Sequence, residues 1–187
     1  NLDILKKYGY VDVHEKNKFA RSIIRKNKKV KKIYLNLKLK KNFYDIILLA
    51  DVIEHVDRPK ILLNNLKKFL KKDGQILITV PAYQFLFSKK DRVLGHYRRY
   101  NKSRLKAELS NFEIKKISYF NTFLSLPIII VTLLNKLFKR DYIKKVETTP
   151  NFILNNILYL IFKTEKNFLK YFNFPFGISI YVLAKNV

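Results

Sequence analysis

Two short stretches of this chain carry residue types able to do chemistry. In Asp51-Val-Ile-Glu54-His55, two carboxylates three residues apart share one face of an opening helical turn, with an imidazole beside them. Such a group can hold a divalent cation or exchange protons. Equally, Asp51 can cap the turn while Glu54 and His55 brace neighbouring loops. The second stretch, Asp91-Arg92-Val-Leu-Gly95-His96-Tyr97-Arg98-Arg99-Tyr100, puts three of the eight arginines within nine residues. Arginine forks grip phosphates and carboxylates at two points, so this segment either holds an anionic acceptor or pins its own loop to Asp91. A third candidate is Glu15, directly after the alternating run Tyr10 to His14. An acid at a strand end can accept both hydroxyls of a nucleotide ribose, or stand as a surface acid beside Lys16 and Lys18.

Something must position these groups, and the apolar pattern says what. Tyr44 to Ala50 is an almost continuous apolar run, the mark of a strand covered on both faces in a parallel sheet. Pro59 opens a helix whose stripe is Ile61, Leu62, Leu66, Phe69 and Leu70, ended by Lys71-Lys-Asp-Gly74. Gln75 to Val80 is a second buried strand, halted by Pro81; Tyr83 to Tyr100 is a long polar-aromatic loop. Asn101 or Ser103 caps a helix carrying Leu105 and Leu109, and Phe112 to Tyr119 is a strand. Towards the amino terminus, Leu2 to Tyr8 ends a helix at Gly9, Phe19-Ala20 and Ile23-Ile24 share a helix face, and Lys32 to Leu37 alternates as a strand. Strand–helix–strand alternation with short connections predicts an α/β, doubly wound, mostly parallel sheet. Ligands on such sheets bind beyond the carboxyl ends of the strands, where Glu15, Asn36, Asp51–His55 and Pro81–Tyr83 fall.

Composition bounds the rest. The chain has 187 residues, 48% hydrophobic, with a formal net charge of +25 and no cysteine. That is enough apolar material for a core, and it excludes disulfides, zinc–thiolate sites, iron–sulfur clusters and cysteine catalysis. The charge is carried by 31 lysines against eight arginines, which makes it diffuse attraction to anionic surfaces rather than base-specific nucleic-acid readout. Ile117 to Asn135 is 19 residues without a charge, and Phe152 to Phe162 is a second apolar run followed by Lys163, Lys166 and Lys170. These segments can pack on each other, lie in a membrane interface or span a bilayer.

Tyr44-Asp-Ile-Ile-Leu-Leu-Ala-Asp-Val-Ile-Glu-His-Val and Leu70-Lys-Lys-Asp-Gly-Gln-Ile-Leu-Ile-Thr-Val-Pro-Ala together resemble class I S-adenosylmethionine-dependent methyltransferases. Ser88-Lys-Lys-Asp, Gly95-His-Tyr-Arg-Arg-Tyr and Phe174-Pro-Phe-Gly-Ile-Ser-Ile are similar to one bacterial subgroup of them. The resemblance implies a Rossmann-like sheet with an antiparallel last strand at Gly177 to Ala184 and a helical insertion, 122–172, before it. It further implies one domain over 1–187 whose first strand and glycine-rich loop lie before Asn1, since Gly9 is the first glycine; without that loop, cofactor binding weakens. S-adenosylmethionine is the implied cofactor. Glu15 would hold its ribose, Asn36 and Leu37 would lie by the adenine, and Ala50 and Asp51 would line its methionine end. His96 or His55 is the expected base. Tyr83, Tyr97, Arg98 and Arg99 are the expected acceptor contacts. Some relatives carry Glu-x-x-Glu-His as a magnesium site, which makes Asp51, Glu54 and His55 a minority metal set beside the expectation of none. The acceptor is a small molecule or a lipid-linked or glycan precursor, and the setting is cytoplasmic, with peripheral contact to the inner face of an anionic membrane left open. No specific nucleic-acid partner is expected, and oligomeric state stays open. A non-enzymatic basic module bound to membrane or nucleic acid is the alternative.

Overall fold

Every second residue of Gly74-Gln-Ile-Leu-Ile-Thr-Val80 is buried, and that alternation builds the middle of the main sheet. The computed structural model describes residues 2–26, 30–36, 39–138 and 151–187. It forms two compact units, Asn1–Lys41 and Asn42–Val187.

The first unit holds α1 (Leu2–Leu5), β1 (Asp12–His14), α2 (Lys18–Lys26) and β2 (Lys32–Tyr34). β1 and β2 run parallel, with Val13 opposite Ile33. Asn17 starts α2: its Oδ1 accepts from the Phe19 and Ala20 amides at 2.9 and 3.1 Å, satisfying donors that the first helical turn leaves orphaned.

In the second unit the strand order is β3-β4-β6-β5, where β3 is Tyr44–Ala50, β4 Leu70–Pro81, β5 Phe112–Phe120 and β6 Ser179–Asn186. β3 and β4 are parallel, and β6 lies antiparallel between β4 and β5, as the resemblance implies. α3 (Pro59–Lys67) follows β3, and α5 (Lys102–Glu108) precedes β5. Leu63, Leu66, Ile76, Ile78, Val80, Leu105, Leu109, Ile180, Val182 and Ala184 form the core. Each larger aliphatic side chain among them contributes about 1.5–3 kcal/mol by leaving water. Asn101, not Ser103, caps α5 by accepting from the Arg104 amide at 2.7 Å.

Two local expectations change. α3 stops at Lys67, and Leu70 belongs to β4, opposite Tyr44; the register then shifts before Ile46 pairs with Gln75. Burying Leu70 on the sheet wins over extending the helical stripe. β3 is less covered than its apolar run predicts: Leu49 is buried on one face, whereas Ile46 and Leu48 on the other are exposed because no described element packs over them.

The expected insertion contains α6 (Ser125–Leu137) and α7 (Phe152–Tyr171). α7 is tied down by Glu165, whose buried carboxylate accepts from the Thr122 and Phe123 amides at 3.0 and 3.3 Å. Gly177, just before β6, passes so close to Phe120 that a Cβ there would collide with its carbonyl oxygen. Among the described residues no helix is long and apolar enough to cross a membrane.

Candidate active site at the carboxyl ends of β3 and β4

β3 ends in a strained turn. Asp51 has φ +52°, and its amide donates to the Thr79 carbonyl and hydroxyl at 3.1 and 3.2 Å. The Thr79 hydroxyl donates back to Asp51 Oδ1 at 3.3 Å, so β4 holds the turn open at its exposed end. Ile53, Glu54 and His55 then form a single 3₁₀ turn. Ile53 is fully buried and drags Glu54 inside with it.

The loop from Tyr83 to Tyr100 is closed at its base. Tyr83 N donates to Tyr100 O at 2.7 Å, and Tyr100 N to Pro81 O at 2.9 Å. The Tyr100 hydroxyl reaches the buried Ile53 carbonyl at 3.4 Å, and burial pushes that phenol up to about 12. Inside the loop is a short helix, α4 (Lys89–Val93), with a capping box in which Ser88 and Asp91 satisfy each other's backbone amides. The pattern Ser88-x-x-Asp91 was the signal for this helix, in a stretch that reads otherwise as loop.

Asp91 is the hub. Arg99 donates to it at two points, Nε to Oδ1 at 2.8 Å and Nη2 to Oδ2 at 3.0 Å, and His96 Nδ1 lies 2.9 Å from Oδ1. The Ser88 amide donates to Oδ2 at 2.8 Å. Burial opposes the charge on Asp91, but the bonds from Arg99, His96 and Ser88 outweigh it and hold the carboxyl at about 2. Gly95, at φ +75°, makes the bend that turns His96 back onto Asp91.

The loop carries His96 to His55: their rings meet edge to face with centroids 4.5 Å apart. The Tyr97 amide donates to the Glu54 carbonyl at 2.8 Å, locking loop to turn. Glu54, His55 and His96 each turn one ligand-type atom into a space where all lie within 4.8 Å of one another. His55 Nε2 is 4.0 Å from Glu54 Oε1, beyond hydrogen-bond reach. Both Glu54 carboxylate oxygens are buried without a hydrogen-bond partner among the described residues. Burial, opposed in part by Glu54's own backbone amide and aided by the Asp51 and Asp91 carboxylates, pushes the Glu54 carboxyl up to about 7.

The expected site residues therefore fall into groups. Glu54, His55 and His96 come together; His96 takes the place in the cluster that the spacing suggests for Asp51, which bonds to Thr79 instead. Arg99 pins the loop to Asp91, and Arg98 donates to the Asp57 carbonyl at 2.8 Å while lying 5.5 Å from the Tyr97 ring centre. Tyr97 is well exposed. Tyr83, at φ +62°, stacks on Tyr119 with ring centres 5.3 Å apart. Ala50 is exposed at the end of β3. In the first unit, Glu15 follows β1, its amide bonds to the Tyr34 carbonyl at 3.1 Å, and Oε1 accepts from the Asn17 amide at 2.7 Å. Asn36 lies exposed just past β2, and Leu37 is outside the described residues. Asp91 as the bond partner of His96 went unread in the sequence, although five residues separate them.

The family described as a methyltransferase domain matches residues 5–123, well over half of the chain. An uncharacterized protein of Methanocaldococcus jannaschii is 30% identical over 104 residues, covering 54% of this chain and 44% of that protein. The chain thus spans less than half the length of that curated relative. A SAM-dependent methyltransferase from Archaeoglobus fulgidus superposes with a TM-score of 0.53 at 14% identity, over 99% of this chain and 94% of the other. Another from Thermotoga maritima gives 0.56 at 14% identity, over 95% and 73%. At such identities the structures share the fold, the Rossmann-like sheet with its antiparallel strand.

Proposed function

The chain belongs to the methyltransferase-domain family, and we propose that it transfers a methyl group from S-adenosylmethionine to a small-molecule or lipid-linked nucleophile. The match over residues 5–123 carries this reading, since it includes Glu15, Asp51 and His96. The non-enzymatic alternative finds no support in the comparisons.

When bound, S-adenosylmethionine supplies a methyl group already activated on a sulfonium. The chain's own residues then have two tasks, to orient the acceptor and to take its proton. His96 is the base. Asp91 accepts from Nδ1–H, which leaves Nε2 as the accepting nitrogen. His55, packed edge-on against His96, is the second candidate for that proton. Tyr83 and Tyr97 offer aromatic surface to the acceptor, and Arg98 and Arg99 act through the loop they hold. For the cofactor, the donor chemistry fits: Glu15 is an acceptor at a strand end for ribose hydroxyls, with Asn36 just past β2. Ala50 and Asp51 are open at the end of β3.

Calorimetric titration of the full-length protein with S-adenosylmethionine tests the reading, followed by an acceptor screen with labelled methyl donor. Binding in the micromolar range is expected; no heat at millimolar cofactor would sink it.

A second reading, divalent-cation binding, is favoured by one observation, the buried and unbonded carboxylate of Glu54 facing two imidazoles. Glu54, His55 and His96 suit a borderline metal with mixed nitrogen and oxygen donors. Manganese should broaden the His55 and His96 NMR signals selectively and not in Glu54→Gln; uniform or absent broadening rejects it.

A further inference from the structure

α6 and the first half of α7 expose apolar side chains that nothing among the described residues covers. On α6, Ile128, Ile130, Val131, Leu133, Leu134 and Leu137 are exposed, and among its residues only Ser125 is buried. On α7, Phe152, Ile153, Leu154, Ile157 and Leu160 are exposed, and no charged residue occurs from Asn151 to Phe162. A helix that is apolar around much of its circumference belongs in an apolar environment.

The charges around this surface say which environment. Lys136 ends the apolar run of α6, and Lys163, Lys166 and Lys170 follow that of α7. The single acid on either helix, Glu165, is buried and spent on the Thr122 and Phe123 amides. Among the described residues, both helices are therefore apolar stretches whose exposed charges are all lysines, on a chain of net charge +25. A second copy would bring like charges together, whereas an anionic headgroup layer complements them. Thirteen residues of α6 extend only about 20 Å, short of a hydrocarbon core of about 30 Å, so the helix lies along the interface rather than across it.

We propose that α6 and the amino-terminal half of α7 dock this protein on an anionic lipid bilayer, with their apolar side chains in the headgroup–acyl boundary. The methyl-transfer site borders this face. Lys136 Nζ donates to the Phe85 carbonyl at 2.6 Å, and the Phe85 ring packs on Tyr83 at 5.3 Å. This deepens the methyl-transfer reading by making the acceptor an amphiphile held in that bilayer, and for that corollary alone it rests on that reading.

The test is flotation of the full-length protein with phosphatidylcholine vesicles, with and without phosphatidylglycerol, alongside Val131→Glu/Leu160→Glu. Both positions are exposed, and circular dichroism checks that the fold is kept. Binding should require phosphatidylglycerol, weaken in salt, and fall at least about tenfold in the double variant. No flotation with phosphatidylglycerol overturns the proposal. So does equal flotation of parent and variant, which would reduce the effect to diffuse lysine charge, and so does a stable dimer in solution that the double variant dissociates. Cofactor titration on the same preparations separates the readings: flotation without cofactor binding defeats methyl transfer and leaves docking intact, and the reverse defeats docking.

Discussion

His96 Nδ1 sits 2.9 Å from Asp91 Oδ1, and this one bond decides which nitrogen of the imidazole is free to act. Arg99 and the Ser88 amide hold the carboxylate still from behind, so the ring is oriented by a charge that is itself fixed.

Asp91→Asn keeps the shape but lets the amide offer a donor to Nδ1, inverting the tautomer. Turnover should fall about a hundredfold or more while cofactor affinity is unchanged. Nitrogen-15 NMR of His96 reads the tautomer directly; an unaltered tautomer with lost turnover would mean Asp91 acts in another way.

Glu54 makes stability depend on pH near neutrality. Its carboxyl rises from an ordinary 4.5 to about 7 in the fold, so the folded state binds the proton more tightly than the unfolded chain. Its contribution is complete below about 4.5 and is lost as pH rises through about 7, a change of up to about 3 kcal/mol. Urea denaturation at pH 5 and pH 8 should show this decline, and Glu54→Gln should remove most of it.

Asp91 works in the opposite sense. Its carboxyl lies at about 2, below the usual 3.8, so its stabilisation is present above 3.8 and disappears as pH falls through about 2. Arg99→Met strips the two-point partner and should cost about 2–3 kcal/mol at pH 7, with less acid sensitivity remaining. Denaturation curves at pH 3 and pH 7 give both quantities.

Glu15→Ala should raise the Kd for S-adenosylmethionine about tenfold or more, the loss of a charged acceptor to hydroxyls. Calorimetry of this variant beside Asp91→Asn should separate the two completely; equal losses would contradict the roles assigned to them.

Gly177→Ala should destabilise the second unit by about 2–4 kcal/mol, because the added carbon meets the Phe120 backbone and not a yielding side chain. A melting curve checks it.

Much of the sheet was legible in the sequence: the apolar runs of β3 and β4 are written in single residues such as Leu49, Ile76 and Ile78, while β6 came from the family resemblance, and its buried Ile180 and Val182 agree with it. Leu70 misled, since one apolar residue at a helix–strand junction satisfies both patterns and only the register with Tyr44 settles which holds it. Glu54 and His55 were visible as a pair, but His96 is 41 positions from His55, and their meeting depends on how Tyr100 closes the loop against Pro81. Arg98 and Arg99 illustrate the remaining gap. Their types announced two-point geometry, and local sequence suggested Asp91 as a partner; that Arg98 reaches Asp57 required the fold.

β6 is the last of the described elements to be synthesised, yet it lies between β4 and β5 and pairs with both. While the chain is being made, β4 and β5 emerge with their shared neighbour still absent, each showing a row of free amides and carbonyls. The four-stranded sheet cannot close until Asn186 has left the ribosome. Its folding thereby waits on the synthesis of β6, and the interval before closure is when the open strands are exposed to wrong partners.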